Sequence, residues 1–277
     1  MKRIYTHVFL HKILPIFLIL YILTFLPACN YFLESPHAKL SIQNKNISYL
    51  KGDIDIKMDF PQIDTSTQSN SLIHKINRDI CVVMAQVVPT SDKFTLEMKQ
   101  GIDNPKQLKE AYIRWATDFV SPQPNENKVD FIIPYQISSQ WKAFYNDKIV
   151  SIYIQSYAFT GGAHGMFDAR FLNFFRVDSK LFELAPFVQD TLALMDLARK
   201  EFCRQRALPL NATTEQTTLF VELADLPMPS LMGFTSKGLE LAYAPYEIAP
   251  WSTGAITITL PMSSLKNVFK SNLKLFD

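Results

Sequence analysis

Two long strand patterns meet at one glycine-rich turn. KIVSIYIQSYAF, ending at Phe159, and MFDARFLNFFRV, starting at Met166, are β-branched and aromatic runs of the kind that suits a pleated, half-buried surface. FTGGAHG (Phe159 to Gly165) joins them and holds three of the chain's eight glycines. A short connection between paired strands demands positive φ or a close backbone approach, and glycine provides both without steric cost. The stretch therefore reads as an antiparallel hairpin with Gly161 and Gly162 in its turn. A phosphate cradle is disfavoured by the same order of elements, because the glycines lead into a strand and not into a helix N-terminus. A structural turn does not explain His164, or Tyr157 and Phe159 at the strand's end, so these three join the glycines as candidate binding residues.

The rest of the chain fits sheets joined by hairpins with helices grouped between them. In ISYLKGDIDIKMDFPQI, Ile54, Ile56, Met58 and Phe60 alternate with Asp53, Asp55, Lys57 and Asp59, the period of a half-buried strand whose charges face water. Ser71 to Val88 has helical spacing and a capping serine. A second helix starts at Asn104-Pro105, a cap followed by a first-turn proline, with Leu108, Ala111, Tyr112, Trp115 and Phe119 on one stripe. SPQPNENK (Ser121 to Lys128) is polar and proline-bearing, a boundary signal. Beyond it, a helix is expected over Thr191 to Arg206, with Leu192, Met195, Ala198 and Phe202 on one side. A hairpin turning at Ser236-Lys237-Gly238 follows, then the strand AITITLP, and a short helix capped by Ser263 or Ser264. The pattern implies an α+β fold, with antiparallel sheets, helices packed on one face and two adjoining subdomains, 47–128 and 129–277.

The N-terminus reads as an export signal over residues 1–28. Lys2 and Arg3 precede the uncharged run Ile13 to Ala28, which is short for a membrane span and stops at Cys29. LPAC (Leu26 to Cys29) resembles a bacterial lipobox, which implies that Cys29 becomes an acylated, palmitate-bearing N-terminus. The protein would then be lipid-anchored in the cell envelope, facing the periplasm or the exterior, with 29–46 as a tether. The alternative is an uncleaved signal anchor. Without Lys2, Arg3 and Lys12, the 28 basic residues fall to 25 against 26 acidic ones. A near-neutral chain without basic runs disfavours nucleic acid as a partner. Cys81 and Cys203 remain as an even pair in a compartment that permits a disulfide; two buried free thiols are the other reading.

Chemistry-bearing motifs are sparse. There is no GxSxG, HExxH or CxxC. His7 and His11 have metal-ligand spacing but lie in the signal, and Ser263-x-x-Lys266 has no K-T-G partner. His37, His74 and His164 are isolated from one another, so no metal site and no cofactor is expected, and the chain reads as a non-enzyme.

YAFTGGAHG (Tyr157 to Gly165), the strand and LAPF segment after it, and YAPYEIAPWSTGAITITLP (Tyr243 to Pro261) resemble two blocks of a bacterial envelope domain. This is the C-terminal domain of the RsiV-like family, which also occurs in the non-catalytic part of PdaC-like deacetylases. Ile47 to Val129 resembles the companion domain that precedes it. The resemblance implies an α+β two-part module and, by analogy with the lysozyme-sensing RsiV, a surface for lysozyme-like muramidases. Neither a sigma-binding segment nor a deacetylase domain accompanies it here. Tyr246, Pro250 and Trp251 form a rigid aromatic segment of the kind that anchors interfaces, unless they plug the core beneath their loop. Peptidoglycan or another glycan is the alternative ligand, with Tyr157, Phe159, Tyr246 and Trp251 as stacking platforms and His164 as a donor. A cryptic cell-wall hydrolase is a further alternative.

Overall fold

The structure is a computed structural model, and it describes residues 39–65, 71–87, 101–121, 133–270 and 273. The export signal, Cys29 and His37 lie outside these residues. No helix among the described residues is long and apolar enough to cross a membrane.

One six-stranded sheet organises the molecule, in the order β1-β2-β3-β4-β5-β6. Strands β1 (Ile42–Lys51) and β2 (Ile54–Ile63) form a hairpin about Gly52. The alternating apolar residues of β2, Ile54 to Phe60, are buried as their period predicts. The polar stretch before Ile47, expected to be tether, is instead strand from Ile42. Its polarity has a different cause: the side-chain amides of Asn44 and Asn46 donate to Asp59 across the pair (2.9 and 3.0 Å).

Two helices then return the chain to the same sheet. Helix α1 (Ser71–Met84) and helix α2 (Pro105–Val120) pack on it, and Tyr112 of α2 donates a 2.5 Å hydrogen bond to the Met84 carbonyl that closes α1. Asn104 caps α2 by accepting from the Gln107 amide, with Pro105 in the first turn as expected. Phe119 departs from the stripe: it is part-exposed, with its ring tilted against Tyr135 (5.5 Å). Strand β3 (Tyr135–Tyr145) pairs with β2 in parallel, the one parallel pair among the described strands. Of the boundary signal at 121–128, only Ser121 lies among the described residues.

Strands β4 (Ile149–Phe159) and β5 (Met166–Phe175) form the antiparallel hairpin, and the two-residue β6 (Leu181–Phe182) closes the edge. Both faces of β4 are covered. Val150, Ile152 and Ile154 join the core under α1 and α2, whereas Ile149 belongs to a second core. That second core is built from helix α3 (Thr191–Arg206), the short α4 (Thr214–Thr217), and a three-stranded antiparallel sheet. The sheet comprises β7 (Leu231–Thr235), β8 (Gly238–Tyr243) and β9 (Ile256–Leu260). Leu194, Ala198, Phe202 and Cys203 are the buried face of α3; Leu192, expected on that face, is 85% exposed. Ser263 and Ser264 lie inside a 3-10 turn whose cap is Pro261.

The edge of β7 sits against the first sheet, and buried side chains satisfy its outward backbone groups. Ser151 Oγ accepts from the Phe234 amide (2.8 Å) and donates to Asn173 Oδ1 (2.7 Å), while Asn173 Nδ2 donates to the Met232 carbonyl (3.0 Å). An edge strand that would otherwise bury unpaired groups is thereby closed. Lys142 of β3 reaches both carboxylate oxygens of Glu240 on β8, at 2.5 and 2.6 Å.

Cys81 lies in the first core and Cys203 in the second, and both are buried free thiols. They belong to separate cores and are not bonded to each other, which accords with the free-thiol reading. Burial pushes the Cys81 thiol up to about 12, with Asp103 adding to the shift, which leaves it protonated and inert at neutral pH.

Candidate functional site

The turn between β4 and β5 is built as its glycines demand. Gly161 and Gly162 both have φ of 94°. Gly165 serves a different purpose: a Cβ there would stand 2.2 Å from the Tyr157 ring. The absence of a side chain at Gly165 is what lets Tyr157 lie across the turn, directly opposite Phe167 in the register. Tyr157 is 41% exposed. Phe159, at the end of β4, is half-buried and pairs with Gln136.

The second loop, Ala244 to Ala255, follows β8. Tyr246 occupies the left-handed region (φ 71°) without being glycine, and its amide donates to the Ala249 carbonyl (3.0 Å). A left-handed tyrosine is strained and persists only where its surroundings enforce it. Glu247 provides that enforcement. Its carboxylate accepts from the Ser230 amide (3.0 Å), the Ser230 hydroxyl (2.8 Å) and the Ala244 amide (2.8 Å). Tyr243 adds a hydrogen bond to the Pro227 carbonyl (2.7 Å), and burial raises its hydroxyl pKa. Pro250 caps the 3-10 turn Trp251–Thr253, which ends at Gly254 with φ of 72°.

These two loops meet. The His164 imidazole stacks on Trp251, with centroids 4.6 Å apart and planes 23° apart; Tyr246 is 5.8 Å from Trp251 and 6.4 Å from His164. His164 Nδ1 donates to the Gly165 carbonyl (2.8 Å), which fixes the ring. Tyr246 is 57% exposed and Trp251 partly so. The core-plug reading of the two aromatics is thus set aside, and they form an exposed ridge with His164. Of the other sequence candidates, Gly161, Gly162 and Pro250 shape the loops, and Phe159 stands apart from the ridge.

Beside the ridge, Tyr157 and Trp251 border a groove of about 380 Å³ whose lining also includes Tyr153, Gln155, Phe167 and Thr257. The sequence did not single out these four. Tyr153, Gln155 and Tyr157 share one parity of β4, and that parity was readable, but which face it meets depends on the second sheet. Burial pushes the Tyr153 hydroxyl up to about 12, with Glu240 and Asp168 adding to the shift. Among the described residues no three of His, Cys, Asp and Glu come together in a way that could hold a metal ion. His74 is exposed on α1, far in sequence from the site.

Two family profiles match the chain in order. The one described as "Deacetylase PdaC" covers residues 43–167, and the one described as "Protein of unknown function (DUF3298)" covers residues 182–263. No curated protein matches. Among solved structures, a DUF3298-family protein from Pseudomonas aeruginosa aligns with a TM-score of 0.54 at 20% identity, covering 86% of this chain and 98% of that one. A DUF3298-family member from Bacteroides fragilis aligns with a TM-score of 0.57 at 17% identity, covering 85% and 96%. At that identity the likeness establishes the fold. The chain thus carries a PdaC domain followed in order by a DUF3298 domain, on a fold it shares with solved DUF3298-family structures.

Proposed function

We propose that this protein is a lipid-anchored envelope binding protein and not an enzyme, with the His164–Tyr246–Trp251 ridge as its docking surface. The observation that carries the reading is the ridge itself. Three aromatic rings from two distant loops are held partly exposed, one of them on a strained backbone that Glu247 keeps in place. Rigid aromatics presented at low entropic cost are the usual anchors of protein interfaces. The resemblance to RsiV-like domains supports a muramidase of the lysozyme class as the partner. The apolar run ending at Cys29 supports acylation there as the route to the membrane.

Capture of lysozyme by the purified full-length protein tests the docking surface. Retention is expected, with a loss of tenfold or more on Tyr246→Ala or Trp251→Ala. Undiminished retention in both variants, or no retention by the wild type, refutes the ridge as a muramidase site. Fatty-acid labelling that survives Cys29→Ala refutes the anchor.

A further inference from the structure

The groove beside the ridge has a chemistry of its own. None of its lining residues is Asp, Glu, Lys, Arg or His. The Lys142–Glu240 pair is outside this lining, with its carboxylate and ammonium satisfied by each other and the ammonium 4.7 Å from the Tyr153 ring centre. A charged ligand would find no countercharge in this lining, which disfavours it. A wholly apolar ligand is disfavoured as well, because Thr257 and the Tyr157 hydroxyl would be stripped of water, and Gln155 would keep only a 3.4 Å hydrogen bond from the Tyr153 hydroxyl. What suits aromatic faces interleaved with neutral amide and hydroxyl groups is a ligand with flat apolar faces and a polar edge. A sugar ring has that form.

The walls are held from outside the groove. Tyr157 is laid over Gly165, where a Cβ would collide with its ring. Trp251 is backed by His164 at 4.6 Å. Tyr153 is backed by Phe171 at 4.8 Å, and Phe171 in turn lies where any side chain at Gly233 would stand. Fixed rings cost little ordering entropy on binding, and a volume of about 380 Å³ falls within the range of small-molecule sites. We propose that the groove binds a neutral saccharide, with Tyr157 and Trp251 against the sugar faces and Gln155 and Thr257 on its hydroxyls.

The test is titration calorimetry of the full-length protein with chitotetraose and, separately, maltotetraose. The two arms distinguish N-acetylated amino sugars from plain glucans. Saturable binding of either one, insensitive to salt between low and physiological ionic strength, is expected. Thr257 is exposed on β9, so Thr257→Arg fills the groove from the surface and should weaken binding at least tenfold, as should Tyr157→Ala. Gln155→Ala removes an amide and no wall; a severalfold loss there keeps the test decisive if Thr257→Arg misfolds. The proposal is overturned if neither sugar saturates, if folded Thr257→Arg and Tyr157→Ala bind like wild type, or if affinity collapses with salt. Failure of lysozyme capture alone would sink the ridge reading and leave the groove standing.

Discussion

Replacing Ser151 by alanine removes one oxygen atom and leaves two buried groups without partners. Ser151 is fully buried and Asn173 nearly so. The Phe234 amide loses its acceptor, and Asn173 Oδ1 loses its donor, at a point where β7 has no other strand on that side. An orphaned buried polar group costs about 1–3 kcal/mol, so Ser151→Ala should cost about 2–5 kcal/mol. For a unit of this size a loss of that order lowers the melting temperature by roughly 5–15 °C. Ser156 provides the control. It is equally buried on the same strand, but its one hydrogen bond, to the Asp168 carbonyl, is 3.4 Å long; Ser156→Ala should cost less than about 1 kcal/mol. Urea denaturation of both variants, with calorimetric melting, measures the difference. Because Ser151 and Asn173 act as one network, the double alanine variant should cost less than the sum of the singles. If Ser151→Ala is no more damaging than Ser156→Ala, side chains do not hold the β7 edge, and the account of how the two sheets join is wrong.

The Lys142–Glu240 pair should respond asymmetrically. The Glu240 side chain is 8% exposed and the Lys142 side chain 47%. Lys142→Met therefore strands a buried carboxylate and should cost about 2–4 kcal/mol, whereas Glu240→Gln frees a lysine that can reach water and should cost about 1 kcal/mol; equal losses in denaturant would contradict this. Cys81 should resist iodoacetamide in the native protein at pH 8 and react once unfolded, as read by peptide mass mapping, since burial raises its pKa. Asn46 and Asn44 hold the Asp59 carboxyl below its ordinary value. That contribution is present above the ordinary carboxylate range and is lost as pH falls through the lowered value. Asn46→Ala should raise the Asp59 titration midpoint in a carbon-detected NMR titration, and an unchanged midpoint would refute the linkage.

Local pattern carried much of the fold. The alternation through Ile54 and Phe60, the Asn104-Pro105 helix start, the β4–β5 hairpin and the turn before Gly238 each follow from residues within a few positions of one another. What could not be read required distant partners. Strand β1 looked like tether because Asn44 and Asn46 are polar, and their use appears only beside Asp59. Leu192 fits the helical stripe of α3 yet lies in its first turn, beyond the reach of the β9 face. The parallel β2–β3 pairing needs two helices to be threaded between its strands, and no short-range signal records it. For the site, the aromatic loop and the glycine loop were both visible, but their stacking was not. Ser151 and Asn173 carried one faint signal, polar residues in otherwise apolar strands.

The site is composite, drawing on both of the segments that the two profiles match. His164, Tyr157 and the turn that positions them belong to the segment matched by the PdaC profile; Tyr246, Glu247 and Trp251 belong to the segment matched by the DUF3298 profile. Each is buttressed from the other side: Trp251 by His164, and the Tyr153–Phe171 floor by the bare backbone of Gly233 on β7. Filling that space by Gly233→Ala would drive Phe171 toward Tyr153 and disturb the groove from the far segment. The two cores are also joined by polar groups that are satisfied only when the sheets dock, through Ser151, Asn173 and the Lys142–Glu240 pair. A segment expressed by itself would expose those groups and present half a ridge. The proposed docking surface therefore needs both segments, because a left-handed tyrosine from one and a stacked histidine from the other meet around a single tryptophan.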